Sequence, residues 1–172
     1  KAAASALLRG ARGNSGVITS QILRGLCEGA EEGQRFDTES VAVAFKRAVE
    51  VAFQAVRKPV EGTILTVLFD SAQAAEKCAA DGLNTNEALD AIVAEAYASV
   101  QRTPDFLAVL KENNVVDAGG FGLAILLDGF SSAIQGKAGN LGEKILIGSD
   151  APKVEIEQID DWEGSEYRYC NE

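Results

Sequence analysis

Glycine next to a hydroxyl, amide or carboxyl side chain, at the point where an apolar helix begins, occurs three times in this sequence. The first stretch, Gly10-Ala11-Arg12-Gly13-Asn14-Ser15-Gly16-Val17-Ile18, runs directly into an apolar-periodic segment through Ile22, Leu23 and Leu26. Glycine lets a backbone approach an anion closely, and the unpaired amides and partial positive charge of a helix N-terminus attract it. Asn14 and Ser15 add side-chain donors. The stretch is not a Walker loop, because no Lys-Ser/Thr follows its last glycine and no strand precedes it. Spacing alone leaves two readings open, an anion site or a helix-breaking turn with a good cap. The second stretch, Pro59-Val60-Glu61-Gly62-Thr63-Ile64-Leu65, again sets Gly62 and the Thr63 hydroxyl where helix amides are exposed, a pattern that ordinary capping also produces. In the third, Val115-Val116-Asp117-Ala118-Gly119-Gly120-Phe121, two glycines follow an acid at the mouth of the most apolar segment, and Asp117 is equally suited to be a plain N-cap.

Other chemistry is poorly represented. Cys27, Cys78 and Cys170 are far apart, odd in number and accompanied by no histidine, so neither a disulfide framework nor a zinc site is specified. Cys27 and Cys78 read as buried small apolar residues on helices, and a reducing cytoplasm is the expected compartment. A net charge of −10 over 172 residues argues against a nucleic-acid partner, so any phosphate site must be local. Although 47% of the chain is apolar, no uninterrupted apolar run is long enough for a membrane-spanning helix. The segment Lys1-Ala2-Ala3-Ala4-Ser5 lacks the order of a signal peptide, and the chain contains no Met, which leads us to expect a start inside a longer protein.

The elements that must position the three starts are helical from Lys1 to about Gln135. Val41, Phe45, Ala48, Ala52 and Val56 recur at three- and four-residue steps, predicting an amphipathic helix over 38–56 with Thr38 as N-cap and Pro59 beyond its last turn. A second helix is predicted from Gly62 to about Ala80, stopping at Asp81-Gly82, and a third after Asn84, where Asn84 and Glu87 resemble a capping box. Thr103-Pro104 is read as the start of a short helix. The segment from Gly119 to Gln135 is apolar around most of its circumference and is expected to be the central stave. If the helices starting at Ser15, Thr38, Gly62 and Glu87 alternate in direction, the starts at Ser15 and Gly62 share one end of the bundle, while Asp117 is left unplaced. From Gly136 onward Gly136, Gly139, Gly142 and Gly148 break the pattern and Val154-Glu155-Ile156-Glu157 alternates as a strand would, so a boundary is expected near 140–150.

At these three sites the chain resembles the ATP-binding domain of the dihydroxyacetone kinase family, most closely the form at the N-terminus of bacterial fatty acid kinases. The resemblance rests on Gly10-Ala-Arg-Gly-Asn-Ser-Gly-Val-Ile18, Lys58-Pro-Val-Glu-Gly-Thr-Ile-Leu-Thr66 and Val115-Val-Asp-Ala-Gly-Gly-Phe-Gly122, in that order. It covers about residues 1–140, and Glu166-Tyr-Arg-Tyr-Cys-Asn-Glu172 is similar to the opening of the domain that follows in fatty acid kinases. It implies an all-α fold, an antiparallel DhaL-type helical barrel of eight helices with the first one or two missing here. Residues 141–172 would form a linker, a short extended tail and the start of a following domain. Residue by residue, it implies that Asn14, Ser15 and Gly16 contact the nucleotide phosphates. Gly62 and Thr63 would line the nucleotide pocket, and Asp117, Ala118 and Gly119 would close its side near the ribose and base.

One departure carries a consequence. The family's aspartate-rich loop for Mg²⁺ precedes the glycine turn and is not in this chain, so ATP or ADP would bind with magnesium ligands supplied upstream of Lys1. Because the metal offsets charge developing on the phosphates, this polypeptide is expected not to catalyse by itself. Loss of a helix or two from a closed barrel is also expected to expose apolar surface, which self-association could cover. The resemblance implies transfer of the ATP γ-phosphoryl group to a fatty acid held by a DegV-type carrier protein. An acyl carboxylate, already ionised near neutral pH, needs no general base. The rival readings are a dihydroxyacetone kinase ATP-binding subunit and a non-enzymatic helical interaction module.

Overall fold

A computed structural model describes residues 2–32 and 36–137. Among them are seven helices and no strand: α1 (Ala2–Gly10), α2 (Gly13–Glu32), α3 (Thr38–Gln54), α4 (Ile64–Ala80), α5 (Thr85–Phe106), α6 (Ala108–Glu112) and α7 (Ala118–Ile134). No helix among these residues is long and apolar enough to cross a membrane. The strand-like stretch at Val154–Glu157, the boundary near 140–150, the tail and Cys170 lie outside the described residues.

Local chemistry explains most helix ends. Asn84 and Glu87 form the expected reciprocal capping box at the start of α5. At α3 the box is one residue earlier than the sequence suggests: Asp37 accepts from the Ser40 amide at 2.9 Å, and the Ser40 hydroxyl accepts from the Asp37 amide at 3.0 Å. Thr38 is therefore not the cap. It is buried in the first helical turn and donates its hydroxyl to the Leu83 carbonyl at 2.8 Å, tying α3 to the α4–α5 turn. Helices α4, α6 and α7 all end with a left-handed residue, Gly82, Asn114 and Gly136 respectively. Each is followed by an amide that reaches back to the last turn, as in Leu83 N–H to Cys78 O at 3.0 Å.

Thr103-Pro104 does not start a helix; α5 runs straight through it to Phe106. Proline cannot donate to the carbonyl four residues back, which is Val100. The Thr103 hydroxyl donates to that carbonyl instead, at 2.7 Å, and the helix continues. The short helix comes afterwards, as α6.

The helices pack as an antiparallel sequence, α1 on α2, α2 on α3, α3 on α4 and α4 on α5, with α7 laid over both α4 and α5. The α2–α3 seam is the closest. A Cβ added at Gly25 would lie 2.5 Å from the Ala48 Cα, and one at Gly29 would lie 2.5 Å from the Ala44 Cα. Only glycine admits this approach. Glu28 bridges the same seam, and hydrogen bonds from Arg24 and Arg47 hold its carboxyl below the usual range. The core draws Ile22 from α2, Phe45 and Ala48 from α3, Leu65, Val67 and Leu68 from α4, Ile92, Ala96 and Val100 from α5, and Leu123 and Leu127 from α7. Burying one of the Val, Leu, Ile or Phe side chains among them stabilises the fold by roughly 1.5–3 kcal/mol relative to leaving it in water.

The central helix is α4, which packs on α3, α5 and α7, rather than α7 as its apolar circumference suggests. Gly120, Leu123, Ala124, Leu127 and Ser131 of α7 face inward, but Leu126, Phe130 and Ile134 stand 38%, 45% and 50% exposed, so no helix of the described residues covers this apolar face. Near that face a cavity of about 420 Å³ opens between the C-terminal half of α2, the start of α3, the start of α5 and the end of α7.

Candidate functional site

The register of the helices decides where the three glycine starts lie. With Gly25 against Ala48 and Gly29 against Ala44, α2 and α3 are antiparallel, and the same register carried along α2 brings Ser15 level with the Lys58-Pro59 turn. That turn leads into α4. Helix α5 runs back against α4, as the Ser99 hydroxyl bond to Asp70 (2.6 Å) and the approach of Gly62 to Thr103 require. Helix α7 is antiparallel to α5, with Gln135 bonded to Asp90 at one end and Asp117 bonded to Thr103 at the other. The N-termini of α2, α4 and α7 therefore share one end of the bundle, and the short α6 is the detour that puts α7 there.

Two of the three starts touch. Gly62 is buried with φ +78°, and a Cβ there would come within 2.8 Å of the Phe106 Cβ and 2.9 Å of the Thr103 carbonyl oxygen. Its amide donates to the Thr66 hydroxyl at 2.9 Å. Gly119 lies over Ile64, the first residue of α4, and Gly120 lies against Val67 one turn further. Gly62, Thr63, Asp117, Ala118 and Gly119 thus belong to one cluster of turns. Ser15 and Gly16 line a different surface, an open groove of about 570 Å³ between α1 and α2 with Arg12, Thr19 and Ser20, to which α4, α5 and α7 contribute nothing. Asn14 is exposed beside it.

The two starts in the cluster differ chemically. Asp117 is an N-cap: its carboxylate accepts from the Gly120 amide at 2.6 Å. A carboxylate already seated on the first turn of α7 repels a phosphate and leaves an acceptor for hydroxyls. At α4 no side chain caps the first turn, because the Thr63 hydroxyl points back and donates to the Val60 carbonyl at 2.8 Å. The α4 start is the one that offers helix amides to an anion. Around it, Arg57 and Lys58 are exposed and enter none of the ion pairs of the described residues, with Glu61 the opposing charge in the same turn. On the α2 side, Arg12 folds its guanidinium onto the Ala11 carbonyl at 2.9 Å, where α1 ends.

Magnesium is a separate matter. Among the described residues no three His, Cys, Asp or Glu side chains converge as ligands for a metal ion. The residue that sequence reasoning misassigned is Thr103. Read as a helix cap, it instead stands between the Gly62 and Asp117 turns; the sequence signal was a hydroxyl immediately before a proline inside an otherwise continuous helical pattern.

Comparison with known proteins adds the following. The DAK2 domain family matches residues 1–132. Uncharacterized proteins of Staphylococcus aureus strains bovine RF122 / ET3-1, USA300 and N315 are each 48% identical to the chain over 131 residues, which is 76% of this chain and 24% of theirs. The chain thus spans about a quarter of the length of these curated relatives.

Proposed function

The chain belongs to the DAK2 domain family, a dihydroxyacetone-kinase-like group associated with kinases, and from that premise we propose that it binds the nucleotide of a phosphoryl-transfer enzyme. The observation that carries this reading is the gathering of three glycine-marked helix starts at one end of the bundle, one of them with an uncapped first turn. In this reading the polyphosphate of ATP or ADP lies across the starts of α2 and α4. Asn14, Ser15 and Gly16 meet it from one side and the first amides of α4 beside Gly62 and Thr63 from the other. Asp117, Ala118 and Gly119 border the sugar, since a carboxylate accepts a hydrogen bond from a ribose hydroxyl but repels a phosphate.

The acceptor we propose is a carrier-bound fatty acid. Its carboxylate oxygen would attack the γ-phosphorus while the bond to the β–γ bridging oxygen breaks, giving an acyl phosphate and ADP. Such a transfer needs no general base, because an ionised carboxylate has no proton to lose. The acyl chain would be presented by a DegV-type carrier, and magnesium ligands would come from outside the described residues.

Calorimetric titration of ADP, with and without Mg²⁺, tests the binding. Micromolar affinity that disappears when Asn14 and Ser15 are both replaced by alanine is the expected result. No binding under either condition would favour a helical interaction module whose glycine turns only cap helices. Phosphorylation of dihydroxyacetone, and not of a carrier-bound fatty acid, by a protein containing this chain would reassign the substrate.

A further inference from the structure

Thr103 reaches both of the touching helix starts from α5. It is fully buried, yet polar. Its hydroxyl donates to the Val100 carbonyl at 2.7 Å and accepts from the backbone amide of Asp117 at 3.0 Å, so both the proton and a lone pair are used. Its carbonyl oxygen faces Gly62, 2.9 Å from where a Cβ would stand, and accepts from the Leu107 amide at 3.3 Å. One side of the residue thus fixes the residue that caps α7, and another abuts the left-handed turn into α4.

Pro104 makes this arrangement obligatory. Without an amide proton it leaves the Val100 carbonyl unpaired inside the fold, and the Thr103 hydroxyl is what pairs it. A hydroxyl held there has its remaining lone pair aimed by the first bond, and the Asp117 amide lies on that side. Serine can repeat both bonds. Valine, of nearly the same shape, can make neither and orphans a buried carbonyl and an amide together.

From this geometry we infer that Thr103 is a positioning residue, setting the separation of the Gly62 and Asp117 turns and thereby the width of the nucleotide site. The nucleotide half of the inference rests on the function proposed above; the linkage itself does not. Three substitutions in the full chain separate the possibilities. Thr103→Val removes both bonds, Thr103→Ser keeps them, and Ser131→Ala deletes another buried hydroxyl, which accepts from the Gln135 side chain at 2.9 Å at the far end of α7 from the turns. Two readouts are taken, amide hydrogen exchange followed by NMR and the dissociation constant for Mg-ADP.

Thr103→Val is expected to speed exchange at the Asp117 and Gly120 amides and to weaken Mg-ADP binding, each by about tenfold. Amides of Ala48 and Ala52 in α3 should speed up only by the factor that the loss of global stability sets, and the excess at Asp117 and Gly120 over that factor reports the local linkage. Thr103→Ser should restore both readouts to within about threefold, and Ser131→Ala should lower thermal stability with Mg-ADP affinity unchanged and with exchange at Asp117 and Gly120 accelerated no more than at Ala48 and Ala52. Exchange at Asp117 in Thr103→Val accelerated no more than at Ala48 and Ala52 would overturn the linkage. Accelerated exchange with unaltered Mg-ADP affinity would overturn the positioning role and leave the proposed function standing. A wild-type chain that binds no nucleotide would remove the proposed function and with it the nucleotide half, while the exchange data still decide the linkage. If Thr103→Val fails to fold, Thr103→Ala judged against Thr103→Ser decides the same question.

Discussion

Where the starts of α4 and α7 meet the end of α5, turns join through backbone contacts and hydrogen bonds with almost no room to spare. Gly62 touches α5, Gly119 and Gly120 touch α4, and Thr103 joins Asp117 to the helix it leaves. At the opposite end of the bundle α2, α3, α5 and α7 stand apart around a cavity of about 420 Å³, lined by Leu23, Phe45, Ile92 and Leu127 among others, with Phe36, Phe130 and Ile134 partly in water. One end is defined by directional bonds and steric fit, the other by apolar area without a partner helix. Substitutions should therefore be expensive at the first end and tolerated at the second, because hydrogen-bonded turns have one geometry and loosely gathered apolar side chains have many.

The largest effect is expected at Gly62. Alanine there must adopt φ +78° and press on the Phe106 Cβ and the Thr103 carbonyl, which should destabilise the chain by about 3 kcal/mol from overpacking and left-handed strain combined. Gly82→Ala provides the contrast, since φ is +69° there but nothing lies within 4 Å. Strain alone should cost about 1–2 kcal/mol. Urea unfolding of the two variants measures the difference, and equal losses would mean that steric fit at the turn end contributes nothing.

Next comes Asp117→Ala, which removes the cap of α7 and should cost about 1 kcal/mol, together with weaker nucleotide binding if the carboxylate meets a ribose hydroxyl. A stability loss with unchanged ADP affinity would confine Asp117 to capping. Between the two ends, the α5–α7 seam holds Tyr97, whose phenol is pushed up to about 12 by burial and then by the charge of Asp128, to which it donates at 3.3 Å. The folded value exceeds the ordinary 10.0, so this contribution to stability is complete below pH 10 and is lost as pH rises through about 12. Denaturation midpoints across that window should fall more steeply for the wild type than for Tyr97→Phe, and parallel curves would remove Tyr97 from the alkaline transition.

The smallest effect is expected at the open end. Phe130→Ser, on the exposed face of α7, should change stability by within about 0.5 kcal/mol. A loss of about 2 kcal/mol or more in the same unfolding assay would show that Phe130 packs as a core residue and would break the contrast between the two ends.

Much of the helical framework was legible beforehand. The spacing of Val41, Phe45, Ala48 and Ala52, the Asn84–Glu87 box and the stop at Asp81-Gly82 depend on neighbours within a few residues, and each was read at nearly its observed position. Alternation of the helices was enough to expect the starts of α2 and α4 at one end. Where the sequence misled, longer reach was involved. Asp37 displaced Thr38 as the cap because the Thr38 hydroxyl is taken by Leu83, and α5 passed through Pro104 because Thr103 repaired the missing bond. The Gly25–Gly29 pair, which sets the α2–α3 register, went unread because small residues four apart signal a close contact without naming its partner.

Chain-local chemistry in the sequence determined that this protein is helical, where most of its helices begin and end, and that three of those beginnings carry glycine. The tertiary structure alone decided which beginnings touch, that α6 returns α7 to the end shared by α2 and α4, and that among the described residues one face of α7 stays uncovered. The physical reason is range: capping and periodicity are settled over one or two turns, whereas contact between residues 62, 103 and 117 depends on how whole helices choose their neighbours, and an apolar circumference is the same whether or not a neighbour is there to cover it.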